Sequence, residues 1–589
     1  MDIASSENIV KIIICIVLVC IVLYLLKYSW NNKNANNSIT QILSNKKYTM
    51  LDCLKDIADN HPTKDAMKIK NDKNEWKSIT YFEYYEHVRK LSNSINYWLG
   101  DKVNVALLGT NAPGWFYMHL ATMMAGGYSV GLYPSSSQSV CMNIIKESNC
   151  ELLVVDGNEQ LSKFVDIDLD PIKLIIYYGP VDENIVKKFN IHVMSMGNFS
   201  TKGKKHKIKA KLNQVATLIY TSGSTGKSKG AMITHNNIMS CLRQTFDIFD
   251  KSKYYINDNE KIISYLPLNH IFAQMTDIYM PIISTGTVYF ADKDALKNTL
   301  VRTIKEVHPT IFFGVPRVWE KIYEKITENI NKTTGNKILS KIPLMSSEII
   351  KKKIGFDKCK YFVTAGAPLS KYTRDNLSRF DINLIDIYGM SETTGPISIY
   401  FPNLNSELIT GYPIMQIKIA KDNEILVKGN NLFKGYLGYS QNHLTKDGYF
   451  KTGDTGKLDT RGLLYVTGRK KDLIITSGGE KISPAQIESN LYEQLGKYFE
   501  YIILVGDKKK FLSVLLNTPK FNLPKDIDSI IKTSIDKANQ VSQTNSHTIK
   551  KWKIIDNKFK IGYELTPTLK VRRFYILEKY DKLINEMYI

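Results

Sequence analysis

Residues Tyr220 to Gly230 read YTSGSTGKSKG and lie between two apolar runs, Val215-Ala-Thr-Leu-Ile219 and Ala231-Met-Ile-Thr234. The pattern predicts a strand, a loop of glycines and hydroxyls, and a second strand. Gly223, Gly226 and Gly230 let the backbone approach a ligand, while Thr221, Ser222, Ser224 and Thr225 offer hydroxyls and Lys227 and Lys229 bring positive charge. Such a loop suits a polyphosphate, whose oxygens accept from those donors and whose charge needs neutralising. Gly226-Lys227-Ser228 copies the end of a Walker-type phosphate loop, but that motif needs a glycine five positions earlier, where this chain has Thr221. The bland alternative is a Gly/Ser turn between strands. The unbroken series of hydroxyl, glycine and lysine residues argues against it.

A chain of 589 residues is too long for one ordinary domain, and segments such as Val103-Asn-Val-Ala-Leu-Leu108, Tyr117 to Ala125 and Glu151-Leu-Leu-Val-Val155 alternate strand-like and helix-like patterns. This is an α/β signature with room for a large domain and a smaller one. The formal charge of +22 admits nucleic acid, an anionic membrane surface or anionic substrates such as nucleotides. The lysines are spread along the chain with no RNA-binding signature, zinc spacing or basic-leucine repeat, so no nucleic-acid partner is expected. Seven cysteines without a CxxC pair indicate neither a disulfide framework nor a zinc site.

Ile9 to Leu26 is apolar except for Lys11. As a helix it would span roughly 27 Å, close to the ~30 Å hydrocarbon core of a bilayer. Asp2 and Glu7 before the run, and Asn/Lys residues in place of a small-residue cleavage site, favour an uncleaved anchor over a signal peptide. Lys27, Lys33, Lys46 and Lys47 follow it, so the bulk of the chain is expected in the cytosol, with the endoplasmic reticulum the expected membrane. Residues 1–30 then form the anchor and 31–47 a polar tether.

The stretch TSGSTGKSKG is similar to the phosphate-binding loop of the adenylate-forming enzymes, the superfamily of acyl-CoA synthetases, luciferases and peptide-synthetase adenylation domains. Ser228 stands where proline is usual there, and the family's lysine corresponds to Lys229, with Lys227 an extra charge. Other motifs follow in family order. Tyr265-Leu-Pro-Leu-Asn-His-Ile-Phe272 resembles the PLxH motif, whose histidine, here His270, lies near the substrate carboxylate. Gly314-Val-Pro-Arg-Val-Trp319 resembles a stretch of long-chain members, with Trp319 expected in packing, and Thr364-Ala-Gly-Ala-Pro-Leu369 resembles the adenine-pocket segment containing Gly366, Ala367 and Pro368. Asp386 to Gly395, reading DIYGMSETTG, places an aromatic, a glycine, a hydroxyl and a carboxylate in one turn. The resemblance implies that Tyr388 stacks on adenine beside Gly389, Ser391 bonds the α-phosphate and Glu392 helps hold Mg²⁺, a hard cation that takes oxygen ligands.

Gly448-Tyr-Phe-Lys-Thr-Gly-Asp-Thr-Gly456 contributes Asp454 as the resemblance's ribose-diol acceptor, and Gly468 to Pro484 resembles the domain junction, with Arg469 on the ribose, Lys471 as hinge and Gly478 and Gly479 on the CoA path. Leu565-Thr-Pro-Thr-Leu-Lys570 supplies Lys570 as the matching catalytic lysine, and this C-terminal end, like YGMSETTGP, resembles the bubblegum-type long-chain acyl-CoA synthetases. The expected architecture is an adenylate-forming α/β fold, with an N-terminal domain over 48–467 and a mobile C-terminal domain over 468–589, preceded by one transmembrane helix. The implied reaction joins a fatty acid to CoA at the expense of ATP, through acyl-AMP and pyrophosphate. An adenylating enzyme for an aryl or amino acid, a luciferase-like oxygenase, and a membrane-anchored binder that kept the fold are the other readings. The presence of Lys229, Glu392, Asp454, Arg469 and Lys570 together argues against the binder.

Overall fold

Continuous apolar runs such as Val105 to Leu108 and Leu152 to Val155 are buried on both faces, as strands of a parallel sheet between helix layers must be. A computed structural model describes residues 39–200, 210–221, 228–334, 345–402, 410–440, 443–518, 523–540, 547–560, 562–566 and 570–589. The expected anchor, and Ser222, Gly223, Ser224, Thr225, Gly226 and Lys227 of the loop, lie outside the described residues. Among the described residues no helix is long and apolar enough to cross a membrane.

The first sheet has seven strands in the order His192–Ser195, Leu174–Tyr178, Cys150–Asp156, Asn104–Leu108, Ser129–Leu132, Val215–Thr221 and Lys229–Thr234. All neighbours are parallel except the last two, which flank the glycine-hydroxyl loop and pair antiparallel from Val215 opposite Thr234 to Thr221 opposite Lys229. The return strand therefore starts at Lys229, two residues before the apolar run suggested. Gly230 has a packing reason of its own: a Cβ there would stand 3.0 Å from Cζ of the Tyr220 ring across the ladder.

A nine-stranded sheet begins with the parallel strands Ile311–Gly314, Tyr361–Ala365 and Leu384–Met390. It continues antiparallel through Gly395–Tyr400, Thr410–Pro413, Leu464–Arg469, Phe450–Leu458, Glu424–Lys428 and Gln416–Ile419. A third, four-stranded sheet closes the large domain. Helix His235–Lys251 follows the loop strand at once. It is started by a capping box in which the Thr234 hydroxyl accepts from the Asn237 amide and the Asn237 side chain accepts from the Thr234 amide.

After Arg469 the chain builds separate sheets, the hairpin Ile474–Ile475 with Lys481–Ile482 and the three strands Tyr501–Val505, Leu512–Asn517 and Ile549–Ile555. Helices Pro484–Leu495 and Ile527–Gln540 cover them over a core of their own that includes Leu491, Leu504, Val514 and Ile531.

The tether needs correction at its end. Residues 39–44 are helical, Ile39 and Leu43 are buried in the large domain's core, and Arg243 donates to the carbonyls of Leu43 and Asn45 at 2.8 and 3.0 Å. A segment rich in Asn and Ser looks solvated by composition, but two apolar residues one helical turn apart suffice to dock it.

Candidate active site

Ligands of such sheets bind outside the carboxyl ends of the parallel strands, where neighbouring connections run to opposite faces and leave a crevice. Gly366 follows Tyr361–Ala365, and Tyr388 and Gly389 lie in Leu384–Met390, which leads directly into Ser391 and Glu392. Gly389 must lack a side chain, since a Cβ would meet the Gly395 carbonyl oxygen at 2.1 Å and open the hairpin that holds the turn. Ser391 is buried at the start of the short helix Ser391–Thr393, where its carbonyl accepts from the Thr394 amide at 3.0 Å.

Asp454 and Arg469 face each other across adjacent antiparallel strands. Arg469 Nε lies 3.0 Å from Asp454 Oδ1, and the Tyr388 hydroxyl donates to Oδ2 at 2.8 Å. Asp454 is only 4% exposed, and burial pushes its carboxyl above the usual range while Arg469 and Tyr388 oppose the shift. Each carboxylate oxygen keeps lone-pair capacity beyond the bond it makes here, so a diol can still be accepted. The tyrosine is thus tied by its hydroxyl, leaving its ring to offer a face to a base.

Lys570 arrives from the small domain. A Cβ built on Gly366 would stand 3.6 Å from Lys570 Cε and 3.7 Å from Nζ, so the lysine lies in contact range of this turn, whose φ of +90° is what favours glycine. Removal from water, then the repulsion of Arg469, lower the Lys570 ammonium to about 8, with Asp454 pulling the other way. His270 begins the short helix Ile271–Ala273, its carbonyl accepting from the Gln274 amide at 3.1 Å. Burial and the nearby Lys570 cation hold its imidazole down at about 3, so it is a neutral hydrogen-bonding group at physiological pH.

Glu392 and Lys229 are joined by a segment that sequence reasoning passed over. Tyr436 donates to Glu392 Oε1 at 2.5 Å, and the Phe433 amide donates to the Glu392 carbonyl at 2.8 Å. The Lys229 ammonium lies over the rings of Tyr436 and Tyr439, 5.4 and 4.7 Å from their centroids. Residues 434–437 hold that position because they pair with the strand after the loop: Met232 donates to Gly435, Lys434 to Met232 and Leu437 to Gly230. The available signal was the run FKGYLGY, two tyrosines and a phenylalanine set among glycines between two recognised motifs.

The remaining expected residues lie at the edge of this set or away from it. Thr221 ends its strand opposite Lys229, and Ala367 and Pro368 follow Gly366 in the same exposed-to-half-buried loop. Lys471 is exposed in the short helix Lys470–Asp472, where its neighbour Lys470 pairs with Asp422 and Glu424 at 2.7 and 2.8 Å. Gly478 and Gly479 lie in an exposed turn of the small domain, with Gly479 at φ +81° and open space around it. In this orientation Lys570 occupies the site and the glycine turn faces water.

Two strands that flank the glycine-hydroxyl stretch on one sheet, an aromatic–carboxylate–arginine set on the next and a lysine carried in from a small C-terminal domain are the arrangement of an adenylate-forming enzyme. The sequence profile of the AMP-binding enzymes matches residues 54–437, and that of the AMP-binding enzyme C-terminal domain matches 471–589. The chain belongs to the AMP-binding enzyme family. Its relatives include the long-chain-fatty-acid–CoA ligase ACSBG2 of Homo sapiens, 34% identical over 89% of this chain and 90% of that protein. The long-chain-fatty-acid–CoA ligase ACSBG1 of Rattus norvegicus is 31% identical over 92% of this chain and 86% of that protein. Among solved structures, the A domain of a carboxylic acid reductase from Segniliparus rugosus, in complex with AMP and a co-purified carboxylic acid, superposes with a TM-score of 0.77 at 16% identity, over 94% of this chain and 96% of that one. The o-succinylbenzoate CoA synthetase of Bacillus subtilis gives 0.67 at 20% identity, over 89% and 97%. These structures share the fold.

Proposed function

We propose that this protein is an ATP-dependent long-chain fatty acid–CoA ligase that first forms acyl-AMP and pyrophosphate and then transfers the acyl group to CoA, releasing AMP. The observation that carries this reading is Lys570, brought from the small domain to Gly366 beside the Tyr388–Asp454–Arg469 set. A carboxylate is a weak nucleophile that must approach a polyanion, so the chemistry asks mainly for alignment and charge neutralisation. Lys570, as an ammonium, bridges the attacking carboxylate oxygen and the α-phosphate, where negative charge builds as the acyl–phosphate bond forms and pyrophosphate leaves. Lys229 leaves its tyrosine rings for the β- and γ-phosphates, an exchange of one electrostatic partner for a stronger one. Tyr388 stacks on adenine, Asp454 and Arg469 hold the ribose, and the neutral His270 orients the acid without adding charge. Gly478 and Gly479 line the approach of CoA once the small domain has turned about Lys471.

Glu392 fits a Mg²⁺ carried on the nucleotide. Glu392 would hold the ion through its carboxylate, a hard oxygen donor, one oxygen of which accepts from Tyr436 here. When bound, the ion neutralises phosphate charge.

The relatives' names point to long-chain acids, and the apolar run Ile9 to Leu26, read as an anchor with the catalytic domains in the cytosol, suits a substrate that partitions into membranes. Incubating the protein with ATP, CoA and acids from acetate to very long chains, with aryl and amino acids as controls, tests the reading. Long-chain acids should give AMP and the thioester in equal amounts. Turnover of an aryl or amino acid with none of any fatty acid would overturn it.

A further inference from the structure

The stretch Gly314-Val-Pro-Arg-Val-Trp319 contains an arginine that the chemistry above does not use. Trp319 is fully buried and its indole N–H donates to the Val363 carbonyl at 3.3 Å, so the tryptophan belongs to the large domain's packing. Arg317, two residues earlier and near the start of helix Pro316–Thr334, points the other way. Its guanidinium makes a short ion pair with Glu500 of the small domain and lies 5.8 Å from the centroid of the neighbouring Tyr501 ring. On its own helix it reaches Glu320 at 3.1 Å. The Arg317 and Glu500 side chains are 11% and 15% exposed, so the pair is largely withdrawn from water at a boundary between the two domains. The Arg317 Nε is buried without a hydrogen-bond partner, so the guanidinium is not held on every side. Tyr501 stacks in turn on Phe559, with centroids 5.2 Å apart, and the Glu500 amide donates to the Asn517 carbonyl at 2.8 Å, so both residues are seated on the small domain's sheet.

We propose that Arg317 and Glu500 form a latch that selects the orientation of the small domain in which Lys570 lies against Gly366, and hence that Arg317 is a positioning residue for the first half-reaction alone. A charged pair suits an interface that must open. Its Coulomb attraction roughly offsets the cost of removing both ions from water, so breaking it returns most of that cost as hydration, whereas an apolar interface of the same size would stay shut. The pair also discriminates sharply among orientations, because a guanidinium–carboxylate contact loses its value within a few ångströms once water enters. Glu320 remains on Arg317 after the domain leaves, which keeps the arginine charge compensated in the other orientation and lowers the barrier to turning. This inference rests on the two-step ligase reading.

The test reverses the small-domain partner and leaves the large domain intact. Glu500→Arg places a cation against Arg317 and should lower acyl-AMP formation by roughly tenfold or more through kcat, with little change in the KM of ATP or fatty acid. Thioester formation from supplied acyl-AMP should persist or rise, and Glu500→Gln, which keeps a hydrogen bond to the guanidinium, should fall between. Spin labels on exposed sites of the two domains read the interdomain distance without turnover. The reversed pair should shift that distribution away from the orientation described here, even if the acids tried are not substrates. An unchanged distance distribution, unchanged acyl-AMP formation, or an equal fall in both half-reactions would each overturn the latch. A chain that makes no acyl-AMP from fatty acids yet shows the shift would instead count against the ligase reading.

Discussion

Asp454 accepts from Tyr388 on one carboxylate oxygen and from Arg469 on the other, so removing it leaves a half-buried hydroxyl and a guanidinium without this acceptor. Asp454→Ala should weaken kcat/KM for ATP by on the order of 2 to 4 kcal/mol, with fatty-acid KM little changed. Steady-state kinetics varying each substrate in turn checks this, and near-normal ATP kinetics would remove Asp454 from the site. Lys570 gives a pH signature with a definite sign. Its ammonium is held at about 8, below the ordinary lysine value, so the cation is present below that pH and lost above it. The kcat/KM for acyl-AMP formation, which reports the free enzyme, should fall as pH rises through about 8. Lys570→Ala should lower the plateau by roughly 10²-fold and abolish that limb of the profile, while thioester formation from supplied acyl-AMP survives. Tyr388, Asp454, Arg469 and Lys570 were legible in the sequence, because each sits in a short run whose resemblance carried its position.

At the scale of elements, the turn from Leu384–Met390 into Gly395–Tyr400 and the segment 433–439 form one supporting unit. Tyr436 is its tie-point, with its hydroxyl on Glu392 and its ring under Lys229. Tyr436→Phe keeps the ring and removes only the hydrogen bond. It should cost about 1 kcal/mol, read as a lower kcat and a higher half-saturating Mg²⁺, whereas Tyr436→Ala, which also removes the ring, should cost more. Equal effects of the two substitutions would mean that the hydroxyl alone matters. Gly389→Ala tests the hairpin itself. The new methyl would press on the Gly395 carbonyl, so the chemical denaturation midpoint should fall by the equivalent of about 1 to 3 kcal/mol even without ligand. The unit escaped sequence reasoning because its partners lie on different strands, and nothing periodic in FKGYLGY says which carboxylate or lysine it will meet.

For the whole molecule, the proposed anchor and the folded body can be separated. A chain starting at Asn31 should be soluble and keep full ligase activity, and alkaline carbonate should leave the full-length protein in membranes; its release would refute the anchor. Trimming further to Tyr48 should be costly, since it removes Ile39 and Leu43 from the core and the carbonyls that Arg243 caps. Two buried aliphatic side chains are together worth roughly 3 to 6 kcal/mol, so this shorter chain should melt several degrees lower or fail to express.

By itself the sequence determined the class of fold, the order of the motifs and the chemistry each could perform. A glycine-hydroxyl loop, a tyrosine–glycine–serine–glutamate turn and an aspartate after a glycine act through their own few residues of backbone, so their meaning travels with the local sequence. Only the tertiary structure decided the pairings: Tyr388 with Asp454, Glu392 with Tyr436 and Arg317 with Glu500, separated by 66, 44 and 183 residues. It also decided that residues 39–44 pack against the body and that Lys570, not the Gly478–Gly479 turn, faces the site in this orientation. Hydrogen bonds and ion pairs act over a few ångströms, so they depend on where the chain returns, and no periodicity within a strand or helix encodes that.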